Sequence, residues 1–167
     1  MNISIYILRL LTLSKGDEIG YEVLDDVHTI SAREKKTYLY QIKHTIETTS
    51  LGEQVNLTEL SEDLWKTLSN WGKLISDPSE GRTNKKAQKQ FVEKTGFILV
   101  VNRKTYSNKL LSKMIELKKG NIDSSEFIDY IKQLKNKSKN QAIKENFDNV
   151  ISLGVSVLSA FVKKVFV

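Results

Sequence analysis

The sequence predicts an α/β sandwich, in which helices cover a small mixed central β-sheet. Apolar residues at helical spacing open the chain, and three short segments rich in aromatic and β-branched residues follow. A continuous apolar run, Phe97–Val101, then lies between predicted helices, which is typical of a strand buried on both faces. The length of 167 residues suits one domain with a substantial core.

The first third of the chain supplies one helix and the strands that precede the longest predicted helix. The apolar spacing that predicts the first helix ends at Lys15-Gly16-Asp17, a sequence that favours a turn. Alternation and β-branched content then predict strands. The predicted elements are a helix over residues 2–14, a strand over 19–24, its continuation or a second strand over 27–30, a turn over 31–36 and a strand over 37–43.

Helices are predicted for most of the remaining sequence. The strongest pattern places Leu57, Leu60, Leu64, Leu68 and Trp71 at steps of three or four, and we expect Asn56 or Thr58 to cap this helix. A proline segment, 76–81, closes it. Further helices are predicted over 85–94, 106–118, 124–136 and 140–167, with Gly120 ending the second of these and Asp123 capping the third.

This order divides the chain into a core over residues 1–118 and a helical extension over 119–167. Residues 150–167 are apolar nearly all round, which predicts burial. That burial is either in the core of this domain or against a partner subunit or a further domain, and we favour the partner or further domain. No stretch is long and apolar enough to predict a membrane span, so we expect no membrane contact.

The amino-acid composition excludes several kinds of functional site. The absence of cysteine excludes disulfide scaffolds, thiolate zinc sites and cysteine nucleophiles, and it fits a reducing cytoplasm, where we expect the protein to act. Residues 1–80 contain 8 Lys+Arg and 13 Asp+Glu, whereas residues 81–167 contain 18 and 7. Two interpretations remain open: catalytic carboxylates in the first half with a polyanion-binding surface in the second, or simply a solvated lysine-rich surface.

The third predicted strand ends in Gln41-Ile42-Lys43, and because side chains alternate along a strand, Gln41 and Lys43 share a face. A two-residue turn at Glu34-Lys35 would place Asp26 opposite Lys43 and His28 opposite Gln41. This register depends on the turn, because a turn longer by one residue would move these side chains apart.

Such a cluster has the parts that hydrolyse a phosphodiester with a metal ion. A Mg²⁺ ion prefers oxygen ligands, which the Asp26 carboxylate, the Ile42 carbonyl and the Gln41 side-chain amide would supply. Lys43 would orient or deprotonate the water and stabilise developing negative charge. Glu22 and Asp25 are candidates to support these ligands or bind a second metal ion. Taken alone, the pattern favours the alternative of a solvated surface strand.

Four segments carry a resemblance to a known family, and they are Tyr21–Val27 (YEVLDDV), Tyr38–His44 (YLYQIKH), Asp63–Trp71 (DLWKTLSNW) and Gly96–Asn102 (GFILVVN). Taken together and in this order, they resemble the PD-(D/E)xK restriction-endonuclease-like nucleases in their QxK, Mrr-like form. They are most similar to the double-stranded DNA endonuclease domain of bacterial anti-phage effectors such as those of CBASS and Lamassu systems.

The resemblance implies a restriction-endonuclease-like α/β sandwich with a helical C-terminal extension. It also implies Mg²⁺-dependent cleavage of double-stranded DNA in phage defence, with Mn²⁺ as a substitute cofactor. By position, Asp26 resembles the metal-binding aspartate, Gln41 stands where a second acid usually lies, and Lys43 resembles the catalytic lysine. Glu22 resembles an acid often found slightly earlier in the strand. The expected partners are duplex DNA and either a second copy of the chain or a sensor or ATPase subunit.

Two points of this interpretation have an alternative, the catalytic activity and the role of the basic residues. One is a catalytically weak or inactive nuclease-fold module that binds DNA or a partner subunit. The other is that the basic residues near the site are simply solvated and do not contact the DNA backbone. The candidate nucleic-acid contacts are His44, Lys66, Lys85, Lys86 and Lys89. Trp65 and Trp71 fit the protein core better than a DNA-stacking surface, because they lie on an amphipathic helix.

Overall fold

The structure, a computed structural model, describes residues 2–22, 25–44, 48, 50, 52 and 55–167. Within these residues it contains five strands, seven α-helices and one short 3₁₀ helix. The strands are β1 (Glu18–Tyr21), β2 (Val27–Ser31), β3 (Lys36–Lys43), β4 (Thr95–Val101) and β5 (Val165–Phe166). The helices are α1 (Asn2–Leu11), α2 (Glu62–Ile75), the 3₁₀ helix (Pro78–Glu80), α3 (Lys85–Glu93), α4 (Lys109–Lys119), α5 (Ser124–Lys137), α6 (Gln141–Ile151) and α7 (Gly154–Lys163).

The five strands form one mixed sheet in the order β1-β2-β3-β4-β5. Strands β1, β2 and β3 are antiparallel neighbours, whereas β4 runs parallel to β3 and β5 parallel to β4. The α2 and α3 helices connect β3 to β4, as a parallel pair requires a long crossover. The predicted α/β class and mixed sheet are therefore confirmed, with β4 in the interior of the sheet.

Helices cover both faces of the sheet. On one face, Leu39 of β3 and Phe97 of β4 belong to a large core with residues of α2 to α7. On the other face, Tyr40 and Ile42 pack in a smaller cluster with residues of α1, including Ile5. Because side chains alternate along β3, the face that carries Leu39 also carries Gln41 and Lys43. The candidate site therefore lies on the same side of the sheet as α2.

The C-terminal helices belong to the core of this domain. In α7, Val157, Leu158 and Phe161 are fully buried, and the Phe161 ring lies 4.8 Å from that of Phe97. Our expectation that this apolar segment covers a partner or a further domain is wrong, because α3, α4, α5 and α6 cover it instead. The prediction of helix through residue 167 is also wrong, since the last residues form β5 and extend the sheet.

The caps of two helices follow the prediction and that of a third does not. Asp123 accepts the Ser125 and Glu126 N–H groups at the start of α5, and Gly120 ends α4 with a φ of 77°. However, α2 begins at Glu62 rather than after Asn56 or Thr58. A turn precedes it, in which the Thr58 N–H donates to Ser61 Oγ at 2.8 Å and the Ser61 N–H to the Thr58 carbonyl.

No helix within the described ranges combines the length and the apolar character that crossing a membrane requires.

Candidate functional site

The register of the β2–β3 hairpin differs from the predicted one by two residues. Val27 lies opposite Tyr40 and His28 opposite Leu39, so the predicted pairs of Asp26 with Lys43 and of His28 with Gln41 are wrong. The reason is the turn, which comprises four residues, 32–35, and not two. Since a shift of two residues preserves the alternation of side chains, the predicted faces are retained.

Asp26 lies directly before β2 and contacts the end of β3. Its Oδ2 atom accepts a hydrogen bond of 2.5 Å from Gln41 Nε2 and one of 2.7 Å from the Ile42 backbone N–H. Gln41 is only 7% exposed, so its amide is held in place. The structure therefore brings together three of the predicted site residues. In this arrangement Gln41 presents its nitrogen, and not its oxygen, to the carboxylate.

Asp25 is a partly buried carboxylate beside Asp26, and its closest partner comes from α2. Trp71 Nε1 donates to Asp25 Oδ2 at 2.6 Å, and the Asp26 N–H donates to Asp25 Oδ1 at 3.0 Å. Burial raises the pKa of Asp25 to about 6, and the charge of Asp26 adds to this, although the two hydrogen bonds and the charge of Lys43 act in the opposite direction. A carboxyl group with such a pKa is a common feature of functional sites.

Trp71 is itself fixed by the core. It is 2% exposed, and its ring lies 5.4 Å from Phe97 and 6.4 Å from Phe161. The interpretation of Trp71 as a core residue is thus confirmed, as is that of Trp65, which is fully buried. The sequence pattern did not reveal that the indole N–H of Trp71 also holds Asp25, because the two residues are 46 positions apart.

Lys43 is the last residue of β3 and lies level with Val101 of β4. It is partly buried and shares the sheet face of Gln41. Its ammonium is close enough to Asp25 to lower the pKa of that carboxyl group. The site therefore combines two adjacent carboxylates, a buried amide and one cation at the same end of the β2–β3 pair.

Glu22 lies in the turn that joins β1 to β2, with a φ of 54°. The predicted strand over 19–24 ends at Tyr21, and residues 23 and 24 lie outside the described part of the chain. Glu22 therefore does not share a strand face with Asp26. Its N–H donates to the Asp26 carbonyl at 3.0 Å, and its exposed side chain bonds the Tyr21 hydroxyl, which raises the pKa of that tyrosine. Glu22 fixes the turn around Asp26 through its backbone.

The predicted nucleic-acid contacts fall into two groups. Lys85 has a structural partner, because its ammonium donates to the Leu153 carbonyl at 2.9 Å and to the Ser152 carbonyl at 3.4 Å, where α6 ends. A cation at this position satisfies free carbonyls and complements the helix dipole. The other candidates have accessible side chains: His44 follows β3, Lys66 lies on α2, and Lys86 and Lys89 lie on α3.

A groove of about 620 Å³ adjoins Asp25, and two of the polar residues that line it belong to α2. These are Asn70 and Lys73, both exposed on α2. A signal for them existed in the sequence, since residues 66, 70 and 73 lie at spacings of four and three and therefore share one helical face.

The oxygen atoms of the site suit a hard cation. The Asp26 carboxylate would be one ligand of such a cation. The Ile42 carbonyl would be a second, because N–H and C=O of one residue point to the same side of a strand and the Ile42 N–H faces Asp26. Gln41 Oε1 would join them after rotation of the amide. A magnesium ion usually retains several waters and needs only one or two carboxylates, so this small set fits it. Among the described residues, no three or more Asp, Glu or His side chains form a group that would hold a metal ion.

Comparison of this chain with protein-family models, with curated proteins and with solved structures gives no match.

Proposed function

We propose that this protein is a metal-dependent endonuclease that hydrolyses phosphodiester bonds of double-stranded DNA and acts as an effector in bacterial anti-phage defence. The observation that supports this most directly is the contact of Asp26 with Gln41 and Ile42, beside Asp25 and Lys43. The α/β sandwich with helices on both sheet faces agrees with the restriction-endonuclease-like fold that the sequence resemblance implies.

In the proposed mechanism, Asp26 supplies the anionic ligand for the cofactor. A bound Mg²⁺ ion would act as a Lewis acid and lower the pKa of a coordinated water. The Gln41 amide and the Ile42 N–H orient the Asp26 carboxylate through its Oδ2 atom. Lys43 orients the attacking water and stabilises the negative charge that develops on the phosphoryl oxygens.

Asp25 helps to fix the position of Asp26. It accepts the backbone N–H of Asp26 and so restrains the backbone that carries the Asp26 side chain. Trp71 in turn holds Asp25, and the Phe97 and Phe161 rings hold Trp71. A site fixed by residues with restricted rotamers is suited to catalysis, because catalytic groups need to keep their geometry to within about 0.5 Å.

One observation favours a second candidate function. The Gln41 amide nitrogen, and not its oxygen, faces Asp26, and in this orientation Gln41 stabilises the carboxylate without being a metal ligand. A nuclease-fold module that binds DNA or a partner subunit without cutting would have the same contact. The two candidates differ in whether the purified protein hydrolyses DNA.

The test is cleavage of a supercoiled plasmid in Mg²⁺, in Mn²⁺ and in EDTA, with Asp26→Ala and Lys43→Ala as the variants. We expect wild-type cleavage in Mg²⁺ and a loss of at least about 100-fold in each variant, the usual range for a removed catalytic group. Lys36→Ala is the matched control, since Lys36 is an exposed lysine at the opposite end of β3. Undiminished cleavage by Lys43→Ala contradicts the proposal, and DNA binding without cleavage in either metal supports the binding module.

A further inference from the structure

The groove beside Asp25 is open along the second half of α2. Asp25 and Trp71 line one end of it, Asn70 and Lys73 line its wall, and the segment that begins at Asp77 lines the other end. Because Asp25 precedes Asp26 and bonds its backbone, the groove leads directly to the candidate catalytic residues.

A row of polar side chains follows this wall. Lys66, Asn70 and Lys73 occupy one face of α2 and are all exposed. The row is about 10 Å long, from the helical rise per residue. One DNA strand carries a phosphate for about every 3.4 Å of duplex axis, and its phosphates lie further apart than this along the backbone, so the row is long enough to contact two neighbouring phosphates.

The charges along the groove leave the lysines free to bind an anion. Neither Lys66 nor Lys73 forms an ion pair with another described residue. Other cations of the protein do form ion pairs, since Lys113 lies 2.9 Å from Glu116 and Arg103 lies 2.8 Å from Asp63. The carboxylate of Asp77, which also lines the groove, already has hydrogen-bond and ion-pair partners.

Asp77 caps the 3₁₀ helix. Its Oδ1 atom accepts the Ser79 N–H at 2.9 Å and the Ser79 hydroxyl at 2.7 Å. Its Oδ2 atom lies 3.9 Å from Arg82. Both contacts reduce the negative potential that Asp77 contributes to the groove.

We propose that this groove holds the backbone of one strand of the duplex DNA substrate, and that Asn70 and Lys73 are its principal contacts on α2. The inference rests on the proposed function, for which it identifies the substrate surface. Lys73 supplies charge to a phosphate, and the Asn70 amide donates a hydrogen bond to a phosphate or sugar oxygen. Lys66 continues the row away from Asp25.

The test is the affinity of the full chain for a fluorescent duplex oligonucleotide, measured in EDTA over a range of salt concentrations. Loss of one phosphate contact reduces the slope of log affinity against log salt by about 0.9, which corresponds to roughly eightfold weaker binding at about 0.1 M salt. We expect this change for Lys73→Ala. Asn70→Ala should weaken binding without a change in slope, and Asn70→Asp should weaken it further.

Lys119→Ala is the matched control. Lys119 is an exposed lysine on α4, a helix that lies beside β5 at the sheet edge opposite β1. Wild-type affinity and slope in this control, together with the losses in the α2 variants, support the inference. Unchanged affinity and slope in Lys73→Ala overturn it, as does the absence of duplex binding by the wild type.

Binding and cleavage separate the two proposals. If Lys73→Ala binds as the wild type does, and the wild type cleaves plasmid in Mg²⁺, the groove assignment is wrong and the nuclease function stands. If Lys73→Ala loses affinity while the wild type cleaves in neither Mg²⁺ nor Mn²⁺, the groove assignment stands and the nuclease function fails.

Discussion

Asp25 is a partly buried carboxyl group whose ionisation should destabilise the fold, and replacing it with asparagine tests this directly. Asparagine has the same shape but no charge. Burial raises the pKa of Asp25 to about 6 in the folded protein, against an ordinary value of 3.8 for an aspartate. The folded state therefore retains a proton that the unfolded state has already lost between these values, so the stability falls as the pH rises through that window.

The size of the effect follows from the two pKa values. Between about pH 4 and about pH 7.5, the wild-type protein should lose about 2.5 kcal/mol of unfolding free energy through this one group. Asparagine does not titrate, so Asp25→Asn should lack this loss. Its amide nitrogen faces either the Trp71 or the Asp26 N–H, which costs about 1–3 kcal/mol at every pH. The pH-dependent part is therefore the informative quantity.

Urea denaturation of the wild type and Asp25→Asn in EDTA, at several pH values, measures that quantity. We expect the stability of the variant relative to the wild type to rise by about 2.5 kcal/mol from pH 4 to pH 7.5. Asp129→Asn, an exposed aspartate on α5, is the control and should show no comparable rise. A relative stability of Asp25→Asn that does not change with pH would refute the assignment of Asp25 as a partly buried, protonatable carboxyl group.

Two further changes test how the structure around the site is held. Lys85→Met removes the ammonium from the Leu153 and Ser152 carbonyls. It should lower the unfolding free energy by about 1 kcal/mol, or the midpoint of thermal unfolding by about 2–4 °C, and leave DNA affinity unchanged. A large loss of affinity would show instead that Lys85 contacts DNA. Gly20→Ala places a Cβ atom 2.0 Å from His28 Cε1 and should cost about 1–3 kcal/mol. Adding His28→Ala should recover part of this loss, and a double-mutant cycle without coupling would contradict the packing argument.

The sequence predicts which side chains share a face of β3 better than it predicts how the strands pair. The alternation along β3 correctly places Gln41 and Lys43 on one face, because that periodicity is a property of any strand. The pairing of Asp26 was wrong by two residues because the register depends on the turn, and Lys35 accepts a φ of 53° that a lysine rarely adopts. Local sequence carries little information about a conformation that the whole hairpin imposes.

Contacts between segments that are distant in the sequence are a second kind of feature that periodicity does not predict. The apolar pattern of α7 predicted burial, but a pattern on one helix does not identify what covers it. Phe161 packs against Phe97, and β5 pairs with β4, so the same segment completes both the core and the sheet. The bond from Trp71 to Asp25 is of the same kind, since it depends on where α2 crosses the sheet.

Position in the fold, and not charge summed along the sequence, decides which cations are available to a polyanion. The second half of the chain holds 18 of the 26 basic residues, yet Lys85 bonds helix carbonyls, and Lys113 and Lys135 bond carboxylates. Lys73, which lines the groove beside Asp25, and Lys66, which continues the same face of α2, belong to the acidic first half. An acidic segment can therefore supply both the carboxylates of a site and the cations that bring an anionic substrate to them, because Asp25, just before β2, contacts Trp71 of α2.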